Sequence, residues 1–111
     1  MRQIEKLDDT PKQIFRVSID GYDEVEFSLE FKPLQYAWFM SLTWGSFSLN
    51  NERVAISPNL LRQFQNIIPF GLQISNVDAI DPFSIDAWLS GWEMYILSED
   101  ELIEVEALYV K

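Results

Sequence analysis

The sequence contains no cysteine and no histidine, and only eight of its 111 residues are Lys or Arg. Without cysteine and histidine the chain has no Ser-His-Asp triad, no cysteine nucleophile, no thiolate or imidazole zinc site and no disulfide. The eight cations face 18 Asp and Glu residues, a net charge of −10, which argues against direct binding to the phosphates of nucleic acids. We therefore predict a protein that is not an enzyme and that carries no cofactor or metal.

Long hydrophobic runs are also missing. No stretch reaches the roughly 20 apolar residues of a transmembrane helix, and residues 1–9 lack the apolar run of a signal peptide. We therefore expect a protein that is made and used without secretion and that does not bind a membrane. With 48% hydrophobic residues and no repeat or linker, residues 1–111 are predicted to fold as a single domain.

Alternation of apolar and polar residues dominates the first half of the chain, as is typical of half-buried strands. Residues 15–19 and 25–31 alternate on either side of Asp20-Gly21, a turn signal, and predict an antiparallel hairpin. Residues 36–44 place two Trp, a Tyr, a Leu and a Met on one face, and predict a central strand. A polar turn at Asn50-Asn51 is then expected between two short strands.

The second half is predicted to contain short strands separated by two helical turns. Each helical turn begins with a capping residue and a proline, at Ser57-Pro58 and at Asp81-Pro82. Residues 72–74 and 92–97 read as strands. The β-branched residues of 102–109 favour a further strand, with a helix as the alternative. As a strand, this segment could pair with the sheet edge of a neighbouring chain. The fold class predicted is all-β, a small antiparallel β-sandwich or partly open β-barrel with two short helical turns.

Carboxylates are the remaining groups with catalytic potential, and they leave two alternatives open. A glycoside hydrolase needs two carboxyl groups roughly 5–10 Å apart in a cleft, and a calcium site needs six to eight oxygen ligands. Neither Asp20–Glu24 nor Ser98–Glu101 follows the spacing of an EF-hand. We interpret Asp78, Asp81 and Asp86 as turn, cap and solvated residues.

Aromatic residues offer a better indication of function, because Trp and Tyr are enriched at protein interfaces. Each Trp also has the simpler interpretation of a core residue. The candidate interface residues are Trp38, Trp44, Trp88, Trp92 and Tyr109. The polar side of the second strand supplies a candidate acidic face of Glu24, Glu26 and Glu30.

Five motifs follow one another in a distinctive order. They are the strand and D-G turn of 11–21, the W-aromatic-x-x-L strand of 36–42, the polar turn of 50–52, the leucine-rich turn of 60–64, and the D-P to Y-I-L segment of 81–97. In order and spacing they resemble the baseplate plug family of tailed phages, of the cyanophage type. The resemblance covers residues 11–97, and residues 98–111 form a C-terminal extension to it.

The resemblance implies a structural protein of the virion, made in the host cytoplasm and built into the tail. Plugs of this family sit at the hub of a contractile-tail baseplate, close the tube channel and connect tube, hub and spike proteins. We accordingly expect those proteins as partners, several copies of the chain in the virion, and no catalytic residues. An alternative left open by the acidic composition is a DNA mimic that inhibits a nucleic-acid-handling protein.

Overall fold

A computed structural model describes residues 2–4, 7–19, 22, 24–64, 67–78 and 80–109. Two antiparallel sheets account for most of its regular structure, together with one helix and short 3₁₀ turns. In this part of the chain the strands are β1 (Arg2–Gln3), β2 (Lys12–Val17), β3 (Val25–Lys32), β4 (Ala37–Trp44), β5 (Phe47–Arg53), β6 (Gly71–Ser75) and β7 (Glu93–Leu97). Helix α1 spans Glu99–Tyr109, and the 3₁₀ turns are Pro33–Gln35, Arg62–Phe64 and Ala87–Leu89.

The predicted hairpin of the first half is confirmed as β2 paired with β3. Its register places Phe15 opposite Phe27, and their rings stack with centroids 5.3 Å apart. On β3 the residues Val25, Phe27 and Leu29 are fully buried, while Glu26 and Glu30 between them are exposed. The alternation of the sequence therefore selects the face that packs against the core. The turn predicted at Asp20-Gly21 lies outside the described residues.

Strand β4 is central, as predicted, with β3 on one side and β5 on the other in the order β2-β3-β4-β5. The turn predicted at Asn50-Asn51 is wrong, because β5 continues through both residues and pairs with β4 on either side of them. The reversal occurs instead at Gly45, which has a φ of 57° that glycine adopts at little cost. Asn51, with a φ of 55°, marks a register shift opposite Ser41, as a β-bulge does.

The second sheet is three-stranded, in the order β1-β7-β6. Its buried residues join those of the first sheet in one hydrophobic cluster: Leu72, Ile74, Met94 and Ile96 from the second, with Phe27, Leu29, Trp38, Met40 and Leu42 from the first. The sheets do not close into a barrel. The predicted fold class is thereby confirmed in its open, sandwich-like form, with short helical turns between strands.

The strand predicted for residues 102–109 is wrong, because this segment belongs to helix α1. The helix begins with a capping box: the Ser98 hydroxyl accepts the Glu101 amide at 3.3 Å, and the Glu101 carboxylate accepts the Ser98 amide at 3.0 Å. Its buried Leu102 lies against Gly71, where an added Cβ would come within 2.5 Å of the leucine. The helical backbone satisfies its own hydrogen bonds, so the segment offers no strand to a neighbouring chain. No helix in the described part of the chain is both long and apolar enough to span a membrane.

The cap predicted at Asp81 is also wrong. The 3₁₀ turn of this region begins only at Ala87, and the Asp81 carboxylate accepts the amide of Ile56 at 2.8 Å. Asp81 therefore joins two loops that lie 25 residues apart in sequence. Ile85, Trp88 and Leu89 have the spacing of one helical face, yet Trp88 is buried whereas Ile85 and Leu89 are exposed.

Candidate interaction surfaces

Two of the candidate interface residues, Trp38 and Trp88, lie in the core. Trp38 is fully buried, and its ring contacts that of Trp88 with centroids 5.8 Å apart. The indole N–H of Trp38 donates to the carbonyl of Ser84 at 2.8 Å. Both side chains thus hold the 84–88 segment on the inner side of β4, and neither contributes an exposed surface to an interface.

The other two tryptophans are half-buried at the margin of the core. Trp44 contacts Phe70 edge-on, with centroids 5.9 Å apart. The indole N–H of Trp92 donates to the carbonyl of Ile80 at 2.7 Å, and its ring contacts Phe83 at 5.4 Å. Trp92 therefore supports the loop between β6 and β7, in which several large side chains are exposed. The side chain of Tyr109 lies outside the described residues.

That loop carries the most concentrated apolar surface in the described part of the chain. Five large side chains between β6 and β7 are 42–96% exposed: Val77, Ile80, Phe83, Ile85 and Leu89. We call these five the apolar loop surface. Together they expose on the order of 500 Å², within the range of the largest apolar patch of a typical monomer, and such patches are often interaction sites. Leu34 and Tyr36, also exposed, lie two to four residues before Trp38, at the same end of the sheet as Ser84.

The candidate acidic face is exposed as predicted, but it is not uniformly acidic. Glu24, Glu26 and Glu30 are all exposed. On β3, Glu26 lies opposite Arg16 and Glu30 opposite Lys12 in the sheet register. The Arg16 guanidinium comes within 3.9 Å of the Glu26 carboxylate. The outer face of this sheet therefore alternates acids with cations from the neighbouring strand, which a reading of β3 alone does not reveal.

The acids of the second half have no such cationic neighbours in sequence, because no Lys or Arg occurs between Arg62 and Lys111. Asp78, Asp81 and Asp86 are exposed in the loop that carries the apolar loop surface. A hydrogen bond from the Ser84 side chain lowers the pKa of Asp86 below its usual value. This loop is therefore both apolar and negatively charged at neutral pH.

A separate open cavity of about 700 Å³ lies where the β2–β3 connection meets the start of α1. Its polar side is formed by Tyr22, Ser98, Glu99 and Asp100. The Tyr22 hydroxyl donates to the Glu99 carboxylate, and this bond raises the pKa of Tyr22 above its usual value. Among the described residues, no three Asp or Glu side chains are grouped so as to hold a metal ion.

Sequence reasoning missed the apolar loop surface because Ile85, Trp88 and Leu89 have the i, i+3, i+4 spacing of one helical face, which predicts burial of all three. A usable signal was nevertheless present. Residues 77–89 contain six large apolar residues interspersed with Asp, Ser and Pro, and no period of 2 or 3.6 runs through the whole segment.

Comparison with known proteins adds no relative to this picture. No protein-family model matches the chain, and no curated protein matches it. The resemblance to baseplate plugs therefore rests on the order of the five motifs between residues 11 and 97, and the case for an interaction protein rests on the surfaces described above.

Proposed function

We propose that this protein is a structural component of a phage contractile-tail baseplate, a plug at the hub that closes the tube channel and connects tube, hub and spike proteins. The observation that carries its assembly role is the apolar loop surface of Val77, Ile80, Phe83, Ile85 and Leu89. The order of its motifs, similar to that of the plug family, supplies the identity of the assembly. The proposal makes the protein a non-enzymatic virion component with protein partners.

The size of the apolar loop surface is consistent with a subunit that is held by several neighbours at once. Burial of about 500 Å² on this chain contributes on the order of 10 kcal/mol before costs, at roughly 25 cal/mol per Å². Association costs an estimated 4–15 kcal/mol in lost freedom and ordering. One such contact therefore gives weak binding, and a stable position requires additional contacts, as in a multi-protein hub.

The test is reconstitution with the tube, hub and spike proteins encoded by the same phage. The full chain, co-expressed with each in turn, is expected to co-purify with at least one of them. The double variant Ile85→Ser/Leu89→Ser is expected to bind at least about tenfold more weakly, which corresponds to ~1.4 kcal/mol. Both residues are exposed, so the variant keeps the core intact.

The matched control is Ile103→Ser, which makes the same chemical change at an exposed position of α1. It is expected to bind as the unchanged chain does. If the unchanged chain, the double variant and the Ile103→Ser control bound equally well, the apolar loop surface would not be part of the interface. Failure of the unchanged chain to bind any tail protein would overturn the baseplate role.

One observation favours the DNA-mimic alternative as a second candidate. Helix α1 presents Glu99, Asp100 and Glu104 to solvent, in a half of the chain that has nine acids and one cation. A mimic would bind a basic DNA-handling protein and lose that binding as salt is added. Capture of such a protein in place of tail proteins, abolished by Glu99→Lys/Glu104→Lys, would select this function.

A further inference from the structure

The described cations are concentrated on one surface. Four of them, Lys12, Arg16, Lys32 and Arg53, lie on strands β2, β3 and β5. The sheet register and the burial alternation place all four on the outer face of the four-stranded sheet, together with Phe39. We call these five residues the basic sheet face. Glu24, Glu26 and Glu30 lie on the same side, so this side of the sheet carries four cations against three acids, about +1, on a chain of net charge −10.

Phe39 is the apolar centre of this face. Lys32 holds its ammonium group 4.4 Å from the centroid of the Phe39 ring, a cation–π contact. On β5, Arg53 lies opposite Phe39. On the other side of Phe39, Glu30 of β3 is its partner, and Lys12 of β2 lies opposite Glu30. Ile14, on the same side of β2, is also exposed. The face thus combines positive charge with apolar area.

The apolar loop surface has the opposite charge. Its five apolar residues are interleaved with Asp78, Asp81 and Asp86, all exposed, and the loop contains no cation. A partner that covers these apolar side chains is favoured when it also brings positive charge, because complementary charges at an interface select the partner and like charges are repelled. The basic sheet face presents Phe39 and Ile14 beside Lys12, Lys32 and Arg53, with Glu30 among them.

The two surfaces lie on opposite sides of the four-stranded sheet. Successive residues of a strand point to opposite faces, and Trp38 points inward while Phe39 points outward. The loop is anchored on the inner side, through the Trp38 indole and the Ser84 carbonyl at 2.8 Å. One molecule therefore cannot bring its own apolar loop surface onto its own basic sheet face.

We infer that the partner of the apolar loop surface is the basic sheet face of a second copy of this chain, so that copies associate head to tail. The inference deepens the proposed function and rests on it, since it names one of the neighbours within the assembly. A contact between unlike faces builds a ring where the rotation closes. A ring is a geometry that suits a subunit arranged around a channel.

A symmetric contact between two apolar loop surfaces is the less favourable arrangement. It would bring Asp78, Asp81 and Asp86 of one copy towards the same three residues of the other. Like charges brought together cost free energy that the apolar burial must offset. In the head-to-tail arrangement the same carboxylates meet Lys12, Lys32 and Arg53, so burial and charge act in the same direction.

The experiment is a charge exchange followed by sedimentation velocity across a concentration series. One variant, Asp78→Lys/Asp86→Lys, changes the loop and leaves Asp81 in place because it accepts the Ile56 amide. The other, Lys12→Glu/Arg53→Glu, changes exposed residues of the sheet face. Glu104→Lys, an exposed position on α1, is the control for a charge change elsewhere. Circular dichroism establishes that each variant is folded.

The unchanged chain and the Glu104→Lys control are expected to show a mass that rises with concentration. Each double variant alone is expected to associate at least about tenfold more weakly. An equimolar mixture of the two is expected to recover association, because the reversed loop of one matches the reversed sheet face of the other. Added salt is expected to weaken the unchanged contact.

Three outcomes would overturn the inference. A closed dimer that is insensitive to Lys12→Glu/Arg53→Glu would indicate a symmetric contact. If the mixture of the two double variants did not associate, charge complementarity would not account for the contact. An unchanged chain that stays monomeric throughout yet co-purifies with tail proteins would refute self-association while leaving the baseplate role in place, whereas a monomer that binds no tail protein would refute both.

Discussion

The four-stranded sheet and the region from Val54 to Trp92 are held together by different interactions. In the sheet, β2 to β5 pair along most of their length, and one alternating set of apolar residues faces the core. In the second region, single side chains bond to the backbone of distant loops. Examples are the Asp81 carboxylate with the Ile56 amide, and the indole of Trp92 with the carbonyl of Ile80. The sheet depends on a repeated pattern, and the loops depend on individual contacts.

This difference determines which apolar residues are covered by the core and which are exposed to a partner. Ladder hydrogen bonds and alternation leave the sheet with one apolar side, which the core covers. In the loop between β6 and β7, buried Trp88 and the hydrogen bonds of Trp38 and Trp92 anchor the backbone, and the other large apolar residues stay exposed. The five residues of the apolar loop surface are accordingly found in the second region and not on the sheet.

The largest expected effect tests the sheet side of the comparison. Phe27→Ala removes a fully buried ring that stacks on Phe15, and it is expected to lower the free energy of unfolding by about 3–5 kcal/mol. Since small domains are stable by roughly 5–15 kcal/mol, the variant should be close to unfolding. Urea denaturation followed by tryptophan fluorescence measures the change. Ser28→Ala, on the outer side of the same strand, is expected to change stability by less than about 0.5 kcal/mol.

A loss at Ser28→Ala equal to that at Phe27→Ala would contradict the assignment of the two faces. It would mean that the outer side of β3 is as closely packed as the inner side, and that alternation is not what stabilises the sheet.

The next effect tests the loop side, where a single polar residue stabilises the backbone. Asn59 is buried, and its side-chain oxygen accepts the amides of Leu61 at 3.0 Å and Leu72 at 3.1 Å. Asn59→Ala leaves both amides without this acceptor, and each unpaired buried group costs about 1–3 kcal/mol. We expect a loss of about 2–4 kcal/mol in the free energy of unfolding, together with faster hydrogen exchange at Leu61 and Leu72.

The control for this loss is Asn50→Ala, which removes the same amide group from an exposed position of β5. It is expected to leave both stability and the exchange of those two amides nearly unchanged. Normal exchange at Leu72 in the Asn59→Ala variant would show that β6 is held by its pairing with β7 alone, and would remove the contrast between the two regions.

The same contrast explains what the sequence could predict. The alternation of apolar and polar residues was sufficient to predict β2, β3 and β4 and the central position of β4, because every second residue, on the buried face, is apolar. It was not sufficient for Asn51, whose positive φ lies inside a strand as a bulge, although Asn-Asn is a turn signal in isolation. The roles of Asn59 and Asp81 depend on partners 13 and 25 residues away, and no local pattern records such partners.

Helix α1 is an exception to this contrast, because the local sequence did contain a helix signal, but the β-branched residues favoured a strand. Ser98 and Glu101 have the spacing of a capping box, and the structure shows both of its hydrogen bonds. The β-branched residues Ile103 and Val105 pointed to a strand instead. The candidate site was predicted less well than the fold, because the burial of Trp38 and Trp88 and the exposure of Phe83 and Leu89 depend on which loop packs against which strand.

The smallest expected effect concerns the contact at the cavity between the β2–β3 connection and helix α1. The Tyr22 hydroxyl donates to the carboxylate of Glu99 at the start of α1, and this raises the pKa of Tyr22 in the folded chain above its unfolded value near 10. Because the folded state favours the protonated phenol, the contribution to stability is complete below about pH 10 and is lost as pH rises through the folded pKa. The difference in urea midpoint between the unchanged chain and Tyr22→Phe should therefore be constant around neutral pH and shrink under alkaline conditions. Tyr36→Phe, at an exposed turn of the sheet, provides the baseline, and a Tyr22→Phe difference that persists unchanged at high pH would show that the phenol does not link α1 to the sheet.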